Sequence, residues 1–390
     1  MARTALGLFV VALGLRPQIV GIGPLLPQIQ LDLAISHAVA GLLAAIPVLC
    51  MGAFAPIGPW FGRLLGTERA IAAGVAAICV FGILRALAPD AASVLLLTFG
   101  VGVGIALVGP LLPLFVRHRA PSRAASATGV YAGGIVLGAT VAAALAVPLS
   151  GPELDWRRPL LIMSLATVAS LVAWLLLERP PRPATQASDE RPPRLPWTSP
   201  LAWGLAIIFA AQSTLFYAAN AWLPTVYVER GWTEAEGGFL LALLNGIGIV
   251  TTFAAPALAE RRGSRREQLA LSAAGSVAGL VGIALVPEIA VLWVIVLGIG
   301  LGAVFPLALT LPVDISGRAR DVAGLAAIML LGGYGIASVS PFLFGVVRDA
   351  TGGFAIGLWL LVGVGLVLLA AVWFFVPTGL GRRSGAATVS

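Results

Sequence analysis

The sequence predicts an all-α integral membrane protein, and three observations carry that prediction. Hydrophobic residues make up 59% of the 390-residue chain and charged residues 11%, more apolar surface than one soluble core can hide. The apolar residues run in stretches of about 20 or more, the length that crosses the hydrocarbon layer as a helix. Those stretches lack the period-two alternation of membrane barrels, which leaves helices as the way to satisfy every backbone group in lipid.

Breaks at arginine clusters and at Pro/Gly turns divide the chain into twelve spans, near residues 5–29, 38–61, 70–88, 91–116, 124–148, 158–177, 201–227, 235–258, 267–286, 289–312, 321–346 and 353–376. Six precede and six follow a proline-rich, charged segment, 178–200, whose composition predicts a linker rather than a packed element. The expected organisation is an N-terminal six-helix bundle over 1–177, this linker, a C-terminal bundle over 201–378 and a tail over 379–390. The basic residues are arginines, apart from two histidines. They gather in alternate loops, at Arg3, Arg63, Arg69, Arg117, Arg119, Arg123, in the linker, at Arg261, Arg262, Arg265, Arg266, Arg318, Arg320, Arg382 and Arg383. The intervening loops hold Arg157, Arg158, Arg230 and Arg348 among acids such as Asp32, Glu229, Glu234 and Asp349. The positive-inside rule then places both termini in the cytoplasm, which requires an even number of spans. Clusters confined to loops, rather than spread along one face, argue against nucleic-acid binding.

The first span contains its own anomaly, Gly14-Leu15-Arg16-Pro17. Arg16 stands roughly 20 Å of helix from Arg3 and 24 Å from Asp32, near mid-bilayer. An arginine there costs about 2.5–3.5 kcal/mol on insertion scales, so it must face protein, water or a ligand. No Asp or Glu falls at comparable depth in the predicted spans; Asp314 lies at the end of the tenth.

The six-and-six division invites a search for an internal repeat. At an offset of 197, Leu26-Pro27 aligns with Leu223-Pro224, and Ser36 with Thr233, each placed to cap the following helix. Near 198, Gly100-x-Gly102-x-Gly104 meets Gly298-x-Gly300-x-Gly302. On the first span Arg16, Val20, Gly23 and Pro27 share a helical face, and the repeat carries that face to Ser213, Tyr217, Asn220 and Pro224. Gln212 lies one position round the helix, and Gln18 points about 200° from Arg16. Asn245, Tyr131 and Tyr334 are further polar or amphipathic residues at mid-span.

Enzymatic chemistry has little support. His37 and His118 fall on opposite sides of the membrane, Cys50 and Cys79 sit inside apolar spans without metal-ligand spacing, and the glycine-rich stretches lack a Walker pattern. No cofactor or metal is expected.

Leu258-Ala259-Glu260-Arg261-Arg262-Gly263-Ser264-Arg265-Arg266 closely resembles the G-x-L-A-D/E-R-x-G-R-R signature of major facilitator superfamily transporters. The equivalent first-half loop, with Gly58, Arg63 and Gly66, has Gly62 where the acid is expected. A narrower resemblance, to the cyanate and nitroimidazole permeases, is carried by Leu15-Arg16-Pro17, Gly23-Pro24-Leu25-Leu26-Pro27, Gly41-Leu42-Leu43 and Pro47-Val48-Leu49-Cys50. Gln212-Ser213, Tyr217 and Trp222-Leu223-Pro224 extend it. The resemblance implies a major facilitator fold of two pseudo-symmetric six-helix bundles, a cavity lined by spans 1, 4, 7 and 10, and transport by alternating access across a bacterial inner membrane. It also implies a conformational role for Glu260, Arg261, Arg265 and Arg63, with Pro17 as the break in span 1. The expected substrate site is Arg16, Ser213, Tyr217, Asn220, Gln212, Trp222, Asn245, Tyr131 and Tyr334. A guanidinium fork suits a small planar anion such as cyanate. For a nitro-aromatic the same donors meet the nitro oxygens while Tyr217 or Trp222 stacks on the ring. No mid-span carboxylate or histidine is present to carry a coupled proton, and the working unit is expected to be a monomer. A ligand-binding sensor without flux would carry the same sequence features.

Overall fold

The computed structural model describes residues 2–119, 123–178, 195–262, 265–316 and 319–378; most of the predicted linker and the whole tail lie outside these residues. Among the described residues twelve helical spans are long and apolar enough to cross a membrane. The first half comprises α1 (Ala2–Leu15), α2 (Pro17–Val20) and α3 (Leu26–Leu33) as one interrupted span, then α4 (His37–Phe54) and α5 (Ile57–Leu65) as a second. It continues with α6 (Thr67–Ala86), α7 (Ala91–Arg119), α8 (Ala124–Ser150) and α9 (Arg157–Leu177). The second half comprises α10 (Pro200–Val228), α11 (Glu234–Arg262), α12 (Arg265–Leu285), α13 (Ala290–Ile315), α14 (Ala319–Ala337) with α15 (Val339–Thr351), and α16 (Ala355–Phe375).

The repeat seen in the sequence reappears in the packing. Helix starts pair at the same spacing, His37 with Glu234, Thr67 with Arg265 and Arg157 with Ala355. Contacts pair as well: α1 on α8, α6 on α7, α4 on α7, α6 on α9 and α1 on α9 have counterparts in α10 on α14, α12 on α13, α11 on α13, α12 on α16 and α10 on α16. The two halves meet along α4 with α14 and α15, and along α8 with α11, pairs that the same pseudo-two-fold exchanges.

The first span departs from its counterpart. α10 runs unbroken for 29 residues, whereas the first span stops at Leu15, restarts at Pro17 and passes through a short 3-10 turn at Gly23–Leu25. Pro17 has no N–H to give to the Leu13 carbonyl, which explains the break. That carbonyl lies against Gly138 of α8, where a side chain would collide with it.

The face away from the chain ends is closed by contacts between the halves. Gly41 of α4 lies under the Pro341 carbonyl and Gly345 of α15 under the His37 carbonyl, so the two backbones cross in direct contact. Beside this crossing, Asp349 accepts hydrogen bonds from the backbone amides of His37 (3.1 Å) and Ala38 (2.9 Å) and contacts His37 Nδ1 at 2.7 Å. Asp349 is thus an N-terminal cap on α4 supplied by the other half, adding to the local cap from Ser36 to Val39. The other ring nitrogen of His37 lies 3.3 Å from Glu229, which Arg348 also grips at 3.0 Å. Gln28 donates to Glu234 at 2.9 Å, a second link between the halves on this face. Toward the chain-end face, α5 packs on α6 and α7 of its own half.

This geometry yields two contrasting predictions. Asp349→Ala removes a cap worth about 1 kcal/mol, roughly fivefold in the ratio of closed to open protein. Spin labels at Ile35→Cys and Gly353→Cys, in a Cys50→Ser/Cys79→Ser background, should therefore report a larger share of long distances, and an unchanged distribution would remove Asp349 as a latch. Gly41→Ala should open the same face, whereas Gly138→Ala, inside one half, should lower the melting temperature without changing the label distances.

Candidate functional site

A cavity of about 90 Å³, room for several water-sized groups, lies between the halves near mid-span. Its wall is unequal. The first half supplies Arg16 and the apolar Ile135, Val136 and Ala139, while the second supplies the polar side chains Gln212, Ser213, Tyr217, Asn245, Thr252 and Tyr334. Phe216, Tyr217, Phe305 and Tyr334 line it with aromatic rings.

Arg16 enters this cavity because the chain breaks there. As the N-terminal flanking residue of α2 it has its carbonyl taken by Ile19 and Val20, while its side chain leaves the axis between two helical segments. One guanidinium nitrogen donates to the Tyr217 hydroxyl at 2.9 Å, and the guanidinium carbon lies 5.7 Å from the Tyr217 ring centre. Tyr334 also interacts with it and lies 6.4 Å, ring to ring, from Tyr217. Phe209 meets Tyr334 edge-on at 5.0 Å, which fixes the ring that faces the cation. No Asp or Glu pairs with Arg16 among the described residues. A guanidinium has five N–H donors, so hydroxyl oxygens satisfy it only in part and leave its charge uncompensated.

On the opposite wall Gln212 and Ser213 bond to each other at 3.2 Å, and Asn245 donates to the Asn220 side-chain oxygen at 2.9 Å. Asn220 gives its own amide to the Phe216 carbonyl and so acts behind the wall, holding Asn245. The face that the repeat carries from Arg16 to Ser213 and Tyr217 therefore meets Arg16 in space.

Besides Asn220, two expected site residues lie outside the cavity lining. Trp222 donates to the Pro341 carbonyl at 2.8 Å and packs among His37, Phe344 and Phe354, in the closed face. Five residues beyond Tyr217 on a straight helix it sits more than a turn away, out of reach of a ligand at Arg16. Tyr131 is half-buried on α8 against an apolar cluster drawn mainly from the first half, outside the cavity lining. Of the conformational residues, Arg265 bonds Asp314 of α13 at 3.1 Å, and Arg63 is exposed near the end of α5. The side chains of Glu260 and Arg261 lie outside what is described. Both cysteines are free and buried.

Gln18 points away from Arg16, as helical spacing predicts, and there it is fully buried and bonds Arg85 of α6 and Ser164 of α9. Sequence reasoning passes over Arg85 because it falls only three residues inside the end of the predicted span 70–88, where arginine reads as a boundary residue. Its complete burial is a tertiary fact.

Comparison with known proteins agrees with this architecture. The Major Facilitator Superfamily profile matches residues 4–339. The cyanate transport protein CynX of Escherichia coli (strain K12) is 31% identical over 348 residues, 89% of this chain and 90% of that protein. The 2-nitroimidazole transporter of the same organism is 29% identical over 96% of this chain and 94% of its own. An uncharacterized transporter of Bacillus subtilis (strain 168), YycB, is 30% identical over 94% of this chain and 91% of its own. Among solved structures, a D-xylose-proton symporter superposes with a TM-score of 0.78 at 16% identity, covering 97% of this chain and 98% of that one. A bacterial homolog of the human lysosomal transporter Spinster gives 0.77 at 19% identity, with 96% of each chain covered. With its twelve spans and two related halves, this chain belongs to the Major Facilitator Superfamily and is a secondary transporter, not an enzyme.

Proposed function

We propose that the protein moves a small anion of cyanate type, held at mid-membrane by Arg16, across a bacterial inner membrane by alternating access. The observation that carries this reading is the charge balance of the cavity. Arg16 is the charged member of the lining, and it meets tyrosine hydroxyls rather than a carboxylate. A buried cation without a counter-ion is destabilised, and an arriving anion supplies the missing charge. Tyr217 can accept from Arg16 and donate its own proton to that anion, and Gln212, Ser213 and Asn245 offer donors from the facing half. The relatives named for cyanate and for 2-nitroimidazole support the same substrate range.

A second reading, a neutral nitro-heterocycle, is favoured by the four aromatic rings of the cavity. Its nitro oxygens would face Arg16 and its ring Tyr217 or Phe216. Cavity-lining carboxylates and histidines are lacking among the described residues, which favours facilitated diffusion or anion exchange over proton coupling. The arginine-rich loops support a topology with both termini in the cytoplasm. The face latched by His37 and Asp349 is then the outer one, and the working unit is a monomer.

The deciding experiment is a thermal-shift screen of the purified protein with cyanate, thiocyanate, nitrate and 2-nitroimidazole, repeated on Arg16→Ala. A ligand at a hundred times its Kd adds about 2.7 kcal/mol. Anions should therefore stabilise the wild type and leave Arg16→Ala unmoved. A shift with 2-nitroimidazole alone, surviving in Arg16→Ala, would replace the anion by the heterocycle. Saturable counterflow of labelled cyanate in proteoliposomes separates transport from sensing.

In flux assays Arg16→Lys should lose at least tenfold, since hydrogen bonds to charged groups are worth about 1.5–3 kcal/mol, and Arg16→Ala should lose more, both with normal membrane abundance. Wild-type flux in either variant would make Arg16 structural. Gln212→Ala and Asn245→Ala should raise KM roughly threefold to tenfold, while Tyr131→Phe, outside the cavity, leaves it unchanged. Equal effects at all three positions would sink the cavity assignment.

A further inference from the structure

Arg85 is fully buried in α6, and no carboxylate pairs with it among the described residues. Its Nη2 donates to two oxygens of one residue, the side chain of Gln18 at 2.6 Å and the carbonyl of Gln18 at 3.2 Å, and its Nη1 lies 3.5 Å from Thr98. The Gln18 carbonyl is free for a local reason. In an unbroken helix it would accept from Ile22, but past the Arg16-Pro17 break Ile22 donates to Ile19 instead. A carbonyl left bare in a membrane interior is costly, and a guanidinium is the side chain that can cover it while gripping a second oxygen beside it. The Gln18 amide nitrogen is held from the other side by Ser164 of α9 at 3.0 Å. Gly82, one turn before Arg85, makes room, since a side chain there would meet the Ser164 hydroxyl at 2.7 Å.

We infer that Arg85 is a positioning residue for Arg16. By clamping the carbonyl and side chain of Gln18 it holds the first span in its broken form and so fixes the direction in which Arg16 enters the cavity. Gln18 and Arg16 point about 200° apart on the helix, so Arg85 acts from behind, through the backbone, and touches no substrate. Without it the Gln18 carbonyl can recapture the Ile22 amide. The turn then rewinds and carries Arg16 round the helix axis relative to α3. A buried cation is retained here because it covers a break that the substrate site needs. The inference rests on the reading of Arg16 as the substrate cation only for its transport consequence.

The test has a substrate-independent arm. In a Cys50→Ser/Cys79→Ser background carrying Arg16→Cys, the rate of modification by a small neutral methanethiosulfonate reagent reports how position 16 faces the cavity. Adding Arg85→Met should change that rate more than threefold, and Gln18→Met, which keeps Arg85 but removes its side-chain acceptor, should change it in the same direction. If Arg85→Met does not accumulate in the membrane, Gln18→Met decides. A rate within threefold of the parent overturns the positioning role. In the second arm, with Arg16 present, Arg85→Gln should raise the KM for cyanate at least tenfold while Vmax per folded protein stays within about twofold, and Arg85→Lys should recover part of the loss. A purely structural Arg85 would lower protein abundance and leave KM alone. Should the wild type carry no cyanate at all, the substrate reading fails, and the labelling rates still decide the role of Arg85.

Discussion

The structure turns on one constraint, a helix broken in the middle of a membrane. In water a proline in mid-helix leaves carbonyls that solvent can cover, but in lipid each freed group needs a protein partner. Here Pro17 frees the Leu13 carbonyl, and α8 passes directly against it at Gly138. Farther along, the Gln18 carbonyl is freed and Arg85 covers it. The break that releases Arg16 toward the cavity thereby dictates which residues α6, α8 and α9 present to the first span. The local defect and the packing of half the protein are one arrangement.

The pseudo-two-fold makes this asymmetry visible. α10 occupies the place of the broken span and stays continuous, and its polar side chains at the equivalent positions are neutral. One half has a charge and an interrupted helix, whereas the other has a continuous helix with amides and hydroxyls. Two six-helix units that pack alike thus contribute unlike chemistry to a shared cavity, and the cavity is positive as a result.

Much of this was legible in the sequence, and the failures have physical reasons. Span number and the break at Arg16-Pro17 follow from local composition, which acts over one helix. The meeting of Arg16 with Ser213 and Tyr217 followed from the repeat, because Leu26-Pro27 and Leu223-Pro224 mark equivalent turns and equivalent faces converge on the pseudo-axis. Trp222 enters the expected site through the resemblance and its ring rather than through the helical face, and at five residues beyond Tyr217 it lies more than a turn toward the closed face. The bond between Arg85 and Gln18 is not legible in the sequence because it joins residues 67 apart on helices whose neighbour relation no periodicity reveals. The cap of Asp349 on α4 was equally hidden, since an acid in a loop reads as solvated until the other half is brought against it.

The sign of the charges also bears on how the halves exchange. At the closed face the second half brings carboxylates, Asp349, Glu229 and Glu234, to donors of the first half, His37, the amides at the start of α4, and Gln28. At mid-membrane the first half brings its cation to neutral groups of the second. On the proposed reading an anion at Arg16 would bridge the halves at mid-membrane, beside the Tyr217 and Tyr334 hydroxyls that the guanidinium meets. A ligand bound alike in both end states shifts no equilibrium between them. If the contacts at Asp349 belong to one end state, they set the resting preference, and the proposed anion would act on the passage between states. It would compensate Arg16 at the stage when both faces are shut and the cation would otherwise stand in a sealed cavity without a counter-charge.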